Sequence, residues 1–395
     1  MSIQSAVGFS KKDDAFAAGA EACAQAFERV GGGADLVMVF SSVRLAQKKM
    51  LEGVRSVSKN APLIGCSDSG EIVTEGPRSG GVAVMALKSD QIKFVTGIGK
   101  GIKSDSRKTG SCVAQDVLEK AGKKPSLFIM LPDGLNGNGA EIVRGVQDVL
   151  GQRFPIMGGS AGDDFAFKKT YQYFDGEVLT DAVAGVGFFG KFSFGVGVKH
   201  GWEPIGLPKK VTRSRGAVLE SLDNEPALKI YEDAFGKSAE ELTKEPIARM
   251  AYTYPLGMSV EGSDELLIRD VVIADKEGKI TCAAEIPEGA EIRLMLGDKE
   301  KAIQAACEAA KNSLAQLKGA QPKIIFVFNC MARHKLLGPR IGDEISAIQE
   351  VLGRDVPLIG FYTYGEQAPL GGQLDPSKCY SCFHNETMAL VAIGE

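Results

Sequence analysis

Three ten-residue segments of the chain share a pattern that could hold a small polar ligand. They are residues 62–71, 155–164 and 357–366, and each starts with proline, continues with two apolar residues and a glycine, and ends on an acid. Carboxylates pair with a ligand amine, and hydroxyls and backbone N–H groups hold a carboxylate. Three similar loops with repeated acids exceed what tight turns require, although turns and helix caps alone are the alternative. The predicted ligand-binding residues in these segments are Cys66, Ser67, Ser69, Glu71, Ser160, Asp163, Asp164, Tyr362, Tyr364 and Glu366.

A second group of candidates consists of cysteines and histidines in the last quarter of the chain. Cys379, Cys382 and His384 have a spacing typical of zinc ligands, and Cys330 would complete a four-ligand site. Cys330 or His334 could instead ligate haem, although the Cys-x-x-Cys-Phe-His string is one residue too long for haem attachment. The alternatives are thiol–disulfide chemistry, or buried cysteines beside a solvated loop. Zinc and haem are therefore both candidate cofactors.

Two neighbours of these residues are assigned to the ligand site. Arg333 offers a planar guanidinium that fits a ligand carboxylate, and Asn385 follows His384 directly. For Arg333 the alternative is a solvated basic loop, and for Asn385 it is a turn that His384 orients. We predict that both side chains bind the ligand.

Residues 158–162 match the Gly-x-Ser-x-Gly string of hydrolases, which would make Ser160 a nucleophile. The repeats argue against a hydrolase, because Ser67 and Tyr362 occupy the same place in the other segments without the flanking glycines. A tyrosine-rich hairpin pattern, rather than an evident helix, follows Ser160. We predict no catalytic residue, and a hydrolase remains the least favoured functional class.

A glycine-rich stretch at residues 131–139 runs from a predicted strand into a predicted helix. Such a loop can hold an anion at the helix N-terminus, but this one lacks the lysine of a P-loop. A flexible, capped loop is the alternative.

The elements around the three segments repeat as well. An apolar strand and a helix precede each segment, and another strand follows it; the first strands are 36–40, 127–131 and 324–328, and the last are 81–87, 181–188 and 387–393. A strand–helix–strand crossover requires parallel strands, and continuous apolar runs indicate sheets covered on both faces. The acids should therefore lie beyond the carboxyl ends of strands, where α/β sheets bind ligands, and we expect them to face one shared recess.

Hairpin signals at Asp175-Gly176 and at residues 275–278 make the predicted sheets mixed. Residues 11–30 and 298–317 are predicted as helices. The stretch 206–224 has no strong core pattern, so we interpret it as a solvated linker near the domain boundary. The predicted fold class is α/β, with two domains of mixed β-sheets and covering helices, built from three related strand–helix–strand–strand units.

Composition limits the class of protein. The chain has 395 residues, 44% hydrophobic and 24% charged, which is ordinary for a globular protein with a large core. A net charge of -4 gives no basic footprint for nucleic acid, and no apolar stretch approaches the ~20 residues of a membrane span. The N-terminus has no signal-peptide pattern, and the cysteines are mostly scattered in apolar patterns. We expect a cytoplasmic protein with no nucleic-acid or membrane partner.

The three segments and their order resemble the FIST family, with its N-terminal and C-terminal domains. The resemblance rests on residues 65–71 and 158–164 for the first domain and on 360–366 with 383–387 for the second. It implies an N-terminal domain over residues 1–222 with two units, and a C-terminal domain over residues 223–395 with the third. The family is regarded as a small-ligand sensory module, with amino acids as proposed ligands. Some stand-alone members are reported as haem proteins that respond to nitric oxide.

We therefore predict a sensor of a small ligand, such as an amino acid or a similar polar molecule. The resemblance implies that it signals through a partner such as a histidine kinase or a cyclic-dinucleotide enzyme. A haem- or metal-binding sensor of nitric oxide is the first alternative, and a hydrolase-type enzyme is the second.

Overall fold

Three six-stranded sheets surround one core in the computed structural model, which describes residues 3–395. The first unit consists of β1 (Ile3–Ser10), α1 (Ala15–Arg29), β2 (Leu36–Ser41), α2 (Gln47–Ser58), β3 (Leu63–Ser67), β4 (Glu71–Val73), β5 (Gly76–Pro77) and β6 (Val82–Ser89). The second unit repeats this order as β7 (Ile92–Lys100), α3 (Ser106–Ala121), β8 (Leu127–Pro132), α4 (Gly139–Leu150), β9 (Ile156–Gly159), β10 (Gln172–Phe174), β11 (Glu177–Leu179) and β12 (Ala182–Gly190).

The third unit follows the same order but carries an insertion after its first strand, β13 (Ser193–Lys199). The insertion consists of β14 (Trp202–Arg215), β15 (Val218–Leu222), β16 (Glu225–Pro226), α5 (Lys229–Phe235), α6 (Ala239–Leu242), α7 (Ala248–Ala251), β17 (Leu256–Met258), β18 (Leu267–Arg269), β19 (Val271–Ala274), β20 (Ile280–Cys282) and β21 (Glu291–Gly297). The unit then resumes with α8 (Lys299–Gln316), β22 (Pro322–Cys330), α9 (Met331–Leu337), α10 (Ile341–Leu352), β23 (Leu358–Thr363), β24 (Glu366–Pro369), β25 (Ser381–His384) and β26 (Met388–Gly394). Short 3₁₀ helices occupy Gly338–Arg340 and Leu370–Gly372.

Each unit contributes its hairpin to the sheet of another unit. The hairpin β4–β5 of the first unit pairs with β23 of the third, β10–β11 of the second pairs with β3 of the first, and β24–β25 of the third pairs with β9 of the second. The other four strands of every sheet come from one unit, with a single parallel pair in the middle. The three units are therefore joined in a closed cycle.

The glycine that recurs in the three ten-residue segments has one structural reason. A Cβ atom at Gly65, Gly158 or Gly360 would lie 2.1, 2.0 or 2.0 Å from a carbonyl oxygen of the adjacent parallel strand. Real Cβ atoms do not approach backbone so closely, and only glycine allows this contact. The repeated glycine thus permits the parallel pairing on which each unit is built.

The inner faces of the three sheets share one hydrophobic core. It includes Phe40, Phe188 and Phe361, and the rings of Phe40 and Phe361, which belong to different sheets, lie 4.5 Å apart. The outer faces are covered by α1 with α2, by α3 with α4 and by α8 with α10. Burial on both faces explains why the strands read as continuous apolar runs. Four of these six helices, α1, α3, α4 and α8, begin at side chains that cap their free N–H groups, namely Asp14, Asp105, Asn138 and Asp298.

The inserted sheet has its own core and packs on the third unit. Its strands run in the order β18-β17-β21-β14-β15-β20-β19, and its core includes Tyr231, Leu256 and Ile292. Our interpretation of the stretch 206–224 as a solvated linker is wrong. This stretch forms most of β14 and all of β15, because the first part of β14 pairs with β21 and its last part pairs with β15, although its side chains are largely exposed.

The α/β class with two domains of mixed sheets and covering helices is confirmed. The domain boundary at residue 222 stays a prediction, and it coincides with the last residue of β15. Within residues 3–395, none of the helices combines the length and apolarity that crossing a membrane requires.

Candidate functional site

The final acids of the first and third segments hold the same structural position. Glu71 and Glu366 are the first residues of β4 and β24, and both are fully buried. Glu71 Oε1 accepts the N–H of Gly81 at 2.7 Å, and Glu366 Oε2 accepts the N–H of Thr387 at 3.2 Å. Each carboxyl thus binds the residue that precedes the last strand of its unit. Burial raises the pKa of Glu71 to about 7 and that of Glu366 to about 8.

The second unit departs from this arrangement. In the strand register, the residue after each acid lies opposite the recurring glycine: Ile72 pairs with Gly360, and Gln367 pairs with Gly158. In the second unit, the residue opposite the recurring glycine Gly65 is Tyr173. The counterpart of Glu71 and Glu366 is therefore Gln172 and not Asp164. A loop of residues 160–171 displaces the acid from the strand, so spacing from the proline gave the wrong equivalence.

Asp164 joins the first unit instead. Its Oδ2 accepts the hydroxyl of Ser42 at 2.6 Å and the N–H of Val43 at 3.1 Å. Burial is the main reason why the pKa of Asp164 is raised. Asp68, which is fully buried, has a pKa well above its usual range through burial and then through the charges of Glu71 and Asp164. These three acids form what we name the first-unit acid cluster: Asp68, Glu71 and Asp164.

Three other predicted residues of the first segment are also buried. Cys66 lies in the common core, where burial raises its pKa well above the usual range. Ser67 donates its hydroxyl to the carbonyl of Gly162 at 2.6 Å and accepts the N–H of Tyr171 at 2.9 Å. Ser69 is 3% exposed. Ser67 thus connects the first and second units, and none of the three side chains lines the cavity described next.

A cavity of about 630 Å³ lies between the second unit, the third unit and the inserted sheet. Its wall combines the loop after β8, the loop after β9, the start of α9 and the inserted sheet. The lining includes four of the predicted residues, Ser160, Cys330, Tyr364 and Asn385. It also includes residues that we did not predict, namely Asp133, Asn136, Phe165, Phe167, Arg249, Tyr252, Asp270, Lys335 and Phe383. The expectation that the three acidic tips share this recess is wrong, because Glu71, Asp164 and Glu366 do not line it.

The loop after β9 holds two phenylalanines at the cavity in a strained conformation. Asp164, Phe165 and Phe167 have positive φ angles of 53°, 64° and 50°, which residues other than glycine rarely adopt. Asp163 fixes this loop, since its carboxylate accepts the N–H groups of Phe167, Lys168 and Lys169.

The hydroxyl of Tyr364 donates to the same Asp163 carboxylate, and its ring stacks on Phe167 with centroids 4.9 Å apart. Phe167 is 57% exposed. The loop therefore presents a fixed aromatic surface to the cavity.

A buried acid pair lies at the inserted-sheet side of the cavity. Asp270 lines the cavity, and burial raises its pKa to about 7. Glu386 is fully buried beside it, and burial followed by the Asp270 charge raises the pKa of Glu386 well above its usual range. Two carboxyls this close do not both ionise, so the pair keeps at least one proton near neutral pH. Asn385 completes this wall, with its Oδ1 3.5 Å from the Asp270 backbone nitrogen that donates to it.

Arg333 does not reach the cavity. It is fully buried, and its guanidinium donates to both the Glu344 carboxylate, at 2.9 Å from Nη2, and the carbonyl of Ala302, at 2.7 Å. A further donor bonds to the carbonyl of His200. Its donors are engaged within the protein, which makes Arg333 a structural cation of the third unit.

The residues proposed for zinc or haem are not brought together. Within residues 3–395, no three His, Cys, Asp or Glu side chains lie close enough to hold a metal ion. His384 is buried, its Nε2–H donates to the carbonyl of Ala368, and burial lowers its pKa to about 4. His334 packs between Phe165 and Tyr362, and burial lowers its pKa. Neither ring lines the cavity, so the described residues do not fit a metal ion, and neither histidine is placed to ligate a haem in the cavity.

Burial disfavours the thiolate form of the cysteines proposed as metal ligands or redox groups. Burial raises the pKa of Cys379 to about 11, that of Cys382 to about 12 and that of Cys330 well above its usual range. All are free thiols. Thiolate chemistry at neutral pH is therefore disfavoured at each of them.

Ser160 has none of the partners of a serine nucleophile in the part of the chain that is described. Its hydroxyl accepts the side-chain amide of Gln367 at 3.0 Å, and the residue is 3% exposed. No histidine is hydrogen-bonded to it among residues 3–395, so it lacks the general base that such chemistry needs.

Two signals in the sequence could have led to the missed residues. Phe165 and Phe167 flank Ala166 directly after the second segment, where a turn would ordinarily be polar. Arg269 and Asp270 interrupt an otherwise apolar run over two short strands, where charged residues require a reason. The loop of residues 133–139 was recognised, but as an anion-binding candidate rather than as a cavity wall.

Comparison with known proteins identifies matches over most of the chain. The FIST N domain matches residues 35–225 and the FIST C domain matches residues 227–369. An uncharacterised protein of Mycobacterium tuberculosis is 27% identical over 375 residues, which cover 93% of this chain and 95% of that protein. An uncharacterised protein of Methanocaldococcus jannaschii is 29% identical over 207 residues, which cover 48% of this chain and 38% of that protein.

Among solved structures, a chorismatase aligns over 100% of both chains with 8% identity and a TM-score of 0.35. A cyanuric acid hydrolase of A. caulinodans aligns over 47% of this chain and 72% of its own, with 12% identity and a TM-score of 0.27. Neither score is high enough to define a shared fold.

Proposed function

The chain belongs to the FIST family of sensory domains, and from that premise we propose that it binds an amino acid or a similar small polar molecule in the 630 Å³ cavity. The observation that carries the proposal is the composition of the cavity wall. An acid from the inserted sheet, an aromatic surface from the second unit and a lysine from the third unit meet in one recess. A volume of this size lies within the roughly 300–1,000 Å³ usual for small-molecule sites.

The two signs of charge in the wall suit a zwitterion. A ligand ammonium placed at Asp270 would replace the proton of the Asp270–Glu386 pair as the positive partner. The side-chain amide of Asn385 lies on the same wall. Lys335 carries a positive charge and also lines the cavity, with its Nζ 3.9 Å from the centre of the Phe165 ring. It would pair with the ligand carboxylate, while the aromatic surface would hold the apolar part.

The position of the cavity also suggests how binding is reported. The inserted sheet is attached on one side of the cavity by Glu285, which pairs with Arg144 of α4 and accepts from Asn138 at 3.1 Å. On the other side, buried Arg269 donates to the carbonyl of Phe383 at 3.2 Å. A ligand that touches the inserted sheet and both units would stabilise one arrangement of these parts over another. Such coupling requires a difference in affinity between the arrangements, typically worth about 1–3 kcal/mol.

The proposed output is contact with a cytoplasmic signalling partner, such as a histidine kinase or a cyclic-dinucleotide enzyme. The inserted sheet is the part of the chain that the first and second units lack, and it forms one wall of the cavity. A change in its position is therefore the change that we propose a partner detects.

Calorimetric titration of the twenty standard amino acids into the full chain tests the binding proposal. The Asp270→Asn variant should bind the selected amino acid more than tenfold more weakly, equivalent to ~1.4 kcal/mol. Asp264→Asn is the matched control, because Asp264 is exposed on the same inserted region and does not line the cavity. An unchanged affinity in Asp270→Asn would refute the assignment of the ammonium to this wall.

A further inference from the structure

A second chamber of about 390 Å³ adjoins the cavity and shares part of its wall. Asp133, Leu135, Asn136 and Phe167 line both spaces. The remaining wall of the smaller chamber includes three lysines, Lys103, Lys168 and Lys169, together with two threonines. The glycine-rich loop after β8 and the exposed ring of Phe167 therefore separate an aromatic chamber from a basic one.

The three lysines have no acidic partner within the described part of the chain. Among residues 3–395, no carboxylate oxygen lies within 4 Å of the Nζ atom of any of them, whereas ion pairs elsewhere join many of the surface lysines to acids, as Lys100 is joined to Glu177. The ammonium of Lys169 lies over an aromatic face, with its Nζ 5.1 Å from the centre of the Tyr171 ring. Three positive charges around one chamber repel each other, and an anion between them would remove that repulsion.

The acid in the chamber wall is already engaged by other donors. Asp133 is 3% exposed. Its carboxylate accepts from Leu135 N at 2.9 Å, Asn136 Nδ2 at 2.9 Å, Thr170 Oγ1 at 2.8 Å and Asp181 N at 3.0 Å. Four donors stabilise this charge, so the lysines are left available for a ligand.

One strained loop builds the basic side of this chamber and the aromatic side of the larger cavity. The Asp163 carboxylate accepts the N–H groups of Lys168 and Lys169 at 2.6 and 2.9 Å, and it also accepts the hydroxyl of Tyr364. The same carboxylate fixes Phe167 between the two spaces. The two chambers are thus positioned by a common group, as parts of one site would be.

We propose that the lysine chamber binds the distal anionic group of the same ligand that occupies the main cavity. The ligand would then be an amino acid whose side chain ends in a carboxylate or a phosphate. Lys103 and Lys168 would neutralise this group, and the side-chain amide of Asn136 lies between the two chambers. This inference rests on the proposed function for the position of the ammonium, but its own contacts involve different residues.

The test is calorimetric titration of the full chain with L-glutamate and O-phosphoserine, and with L-glutamine and L-serine as their uncharged counterparts. Inorganic phosphate is titrated separately. We expect at least one acidic probe to bind more than tenfold more tightly than its uncharged counterpart. The Lys103→Met/Lys168→Met double variant should lose that preference, whereas Lys103→Arg/Lys168→Arg should retain most of it. Lys48→Met, at an exposed lysine of α2, is the control for a general change of charge.

The outcomes separate this inference from the proposed function. If the double variant keeps the affinity for both acidic probes while Asp270→Asn loses it, the lysine chamber is refuted and the cavity proposal stands. If inorganic phosphate binds in a lysine-dependent manner and neither acidic amino acid binds, the shared ligand is refuted. Failure of both acidic probes to bind the unmodified chain also overturns the inference.

Discussion

The repeated acids of the first and third units occupy equivalent positions but have different surroundings. Glu71 and Glu366 each start the exchanged hairpin and accept the N–H group before the last strand. Around Glu71, the first-unit acid cluster is closed off by hydrogen bonds between the first and second units. Around Glu366, the acids continue through Glu386 to Asp270, which lines a cavity. The position in the repeat therefore determines the hydrogen bond that each acid accepts, whereas the inserted sheet brings the acids of the third unit next to a cavity.

The two clusters also differ in how their charge is offset. In the first cluster, burial is the largest cause of the raised pKa of all three acids, and the charges of Glu71 and Asp164 raise the pKa of Asp68 further. In the third unit, the charge of Arg333 lowers the pKa of Glu366 and Glu386 against the effect of burial. The third unit thus contains a buried cation that can stabilise anions near the cavity.

Removal of this cation should give the largest effect on stability. Arg333→Met leaves Glu344 buried without its partner, and we expect the free energy of unfolding to fall by about 3–5 kcal/mol. Urea unfolding followed by circular dichroism measures the loss. Arg354→Met is the control, because Arg354 forms an exposed pair with Glu350 and should change stability by less than ~1 kcal/mol. A similar small loss for both variants would remove the distinction between the two clusters.

Truncation of the repeated acids should have the next largest effect. Glu71→Ala and Glu366→Ala each leave a buried N–H without an acceptor, and we expect each to cost about 2–3 kcal/mol in urea unfolding. The affinity for the ligand should stay unchanged in both, since neither side chain lines the cavity. Weaker binding in Glu366→Ala alone would show that the third-unit acids reach the ligand.

The two acids should also differ in how they change the pH dependence of stability, and this effect is smaller than that of truncating them. Their folded pKa values, about 7 and about 8, lie above the ordinary value of 4.5, so the unfolded chain releases these protons first as pH rises. Stability should therefore fall from about pH 4.5 upward, and between pH 7 and pH 8 Glu366 contributes more than Glu71. In Glu366→Gln, the fall in the free energy of unfolding between pH 7 and pH 8 should be smaller by about 1 kcal/mol. In Glu71→Gln, that fall should be nearly as large as in the unmodified chain.

Much of the body of the fold could be predicted from the sequence. The apolar strands at residues 36–40, 127–131 and 324–328, and the repeated prolines and glycines, are local signals of buried strands in parallel pairs. The exchange of hairpins could not be predicted, because alternation within a strand shows which residues are buried but not which sheet it joins. The strand β14 was missed because its stability comes from backbone pairing, which leaves no apolar pattern.

The candidate site was predicted only in part. Ser160, Cys330, Tyr364 and Asn385 lie at the cavity, whereas the acids that motivated the prediction lie elsewhere. The error arose at Asp164, since a loop insertion in the second unit placed an acid at the repeat spacing while Gln172 took the structural position. Asp270 could not be connected with Asn385, because the contact joins parts of the chain that are separated by more than 100 residues.

The closed cycle of hairpins has a consequence for synthesis of the chain. The β4 strand leaves the ribosome early, yet β23, the strand with which it pairs outside its own hairpin, begins at Leu358. At the usual synthesis rate of ~5–20 residues per second, β4 remains without β23 for roughly 15–60 s. During that interval an apolar segment, Ile72 and Val73, remains exposed. Nascent chains should therefore depend on chaperones until the last strands have been synthesised. A premature stop codon near the end of the coding sequence should be as damaging as an early one.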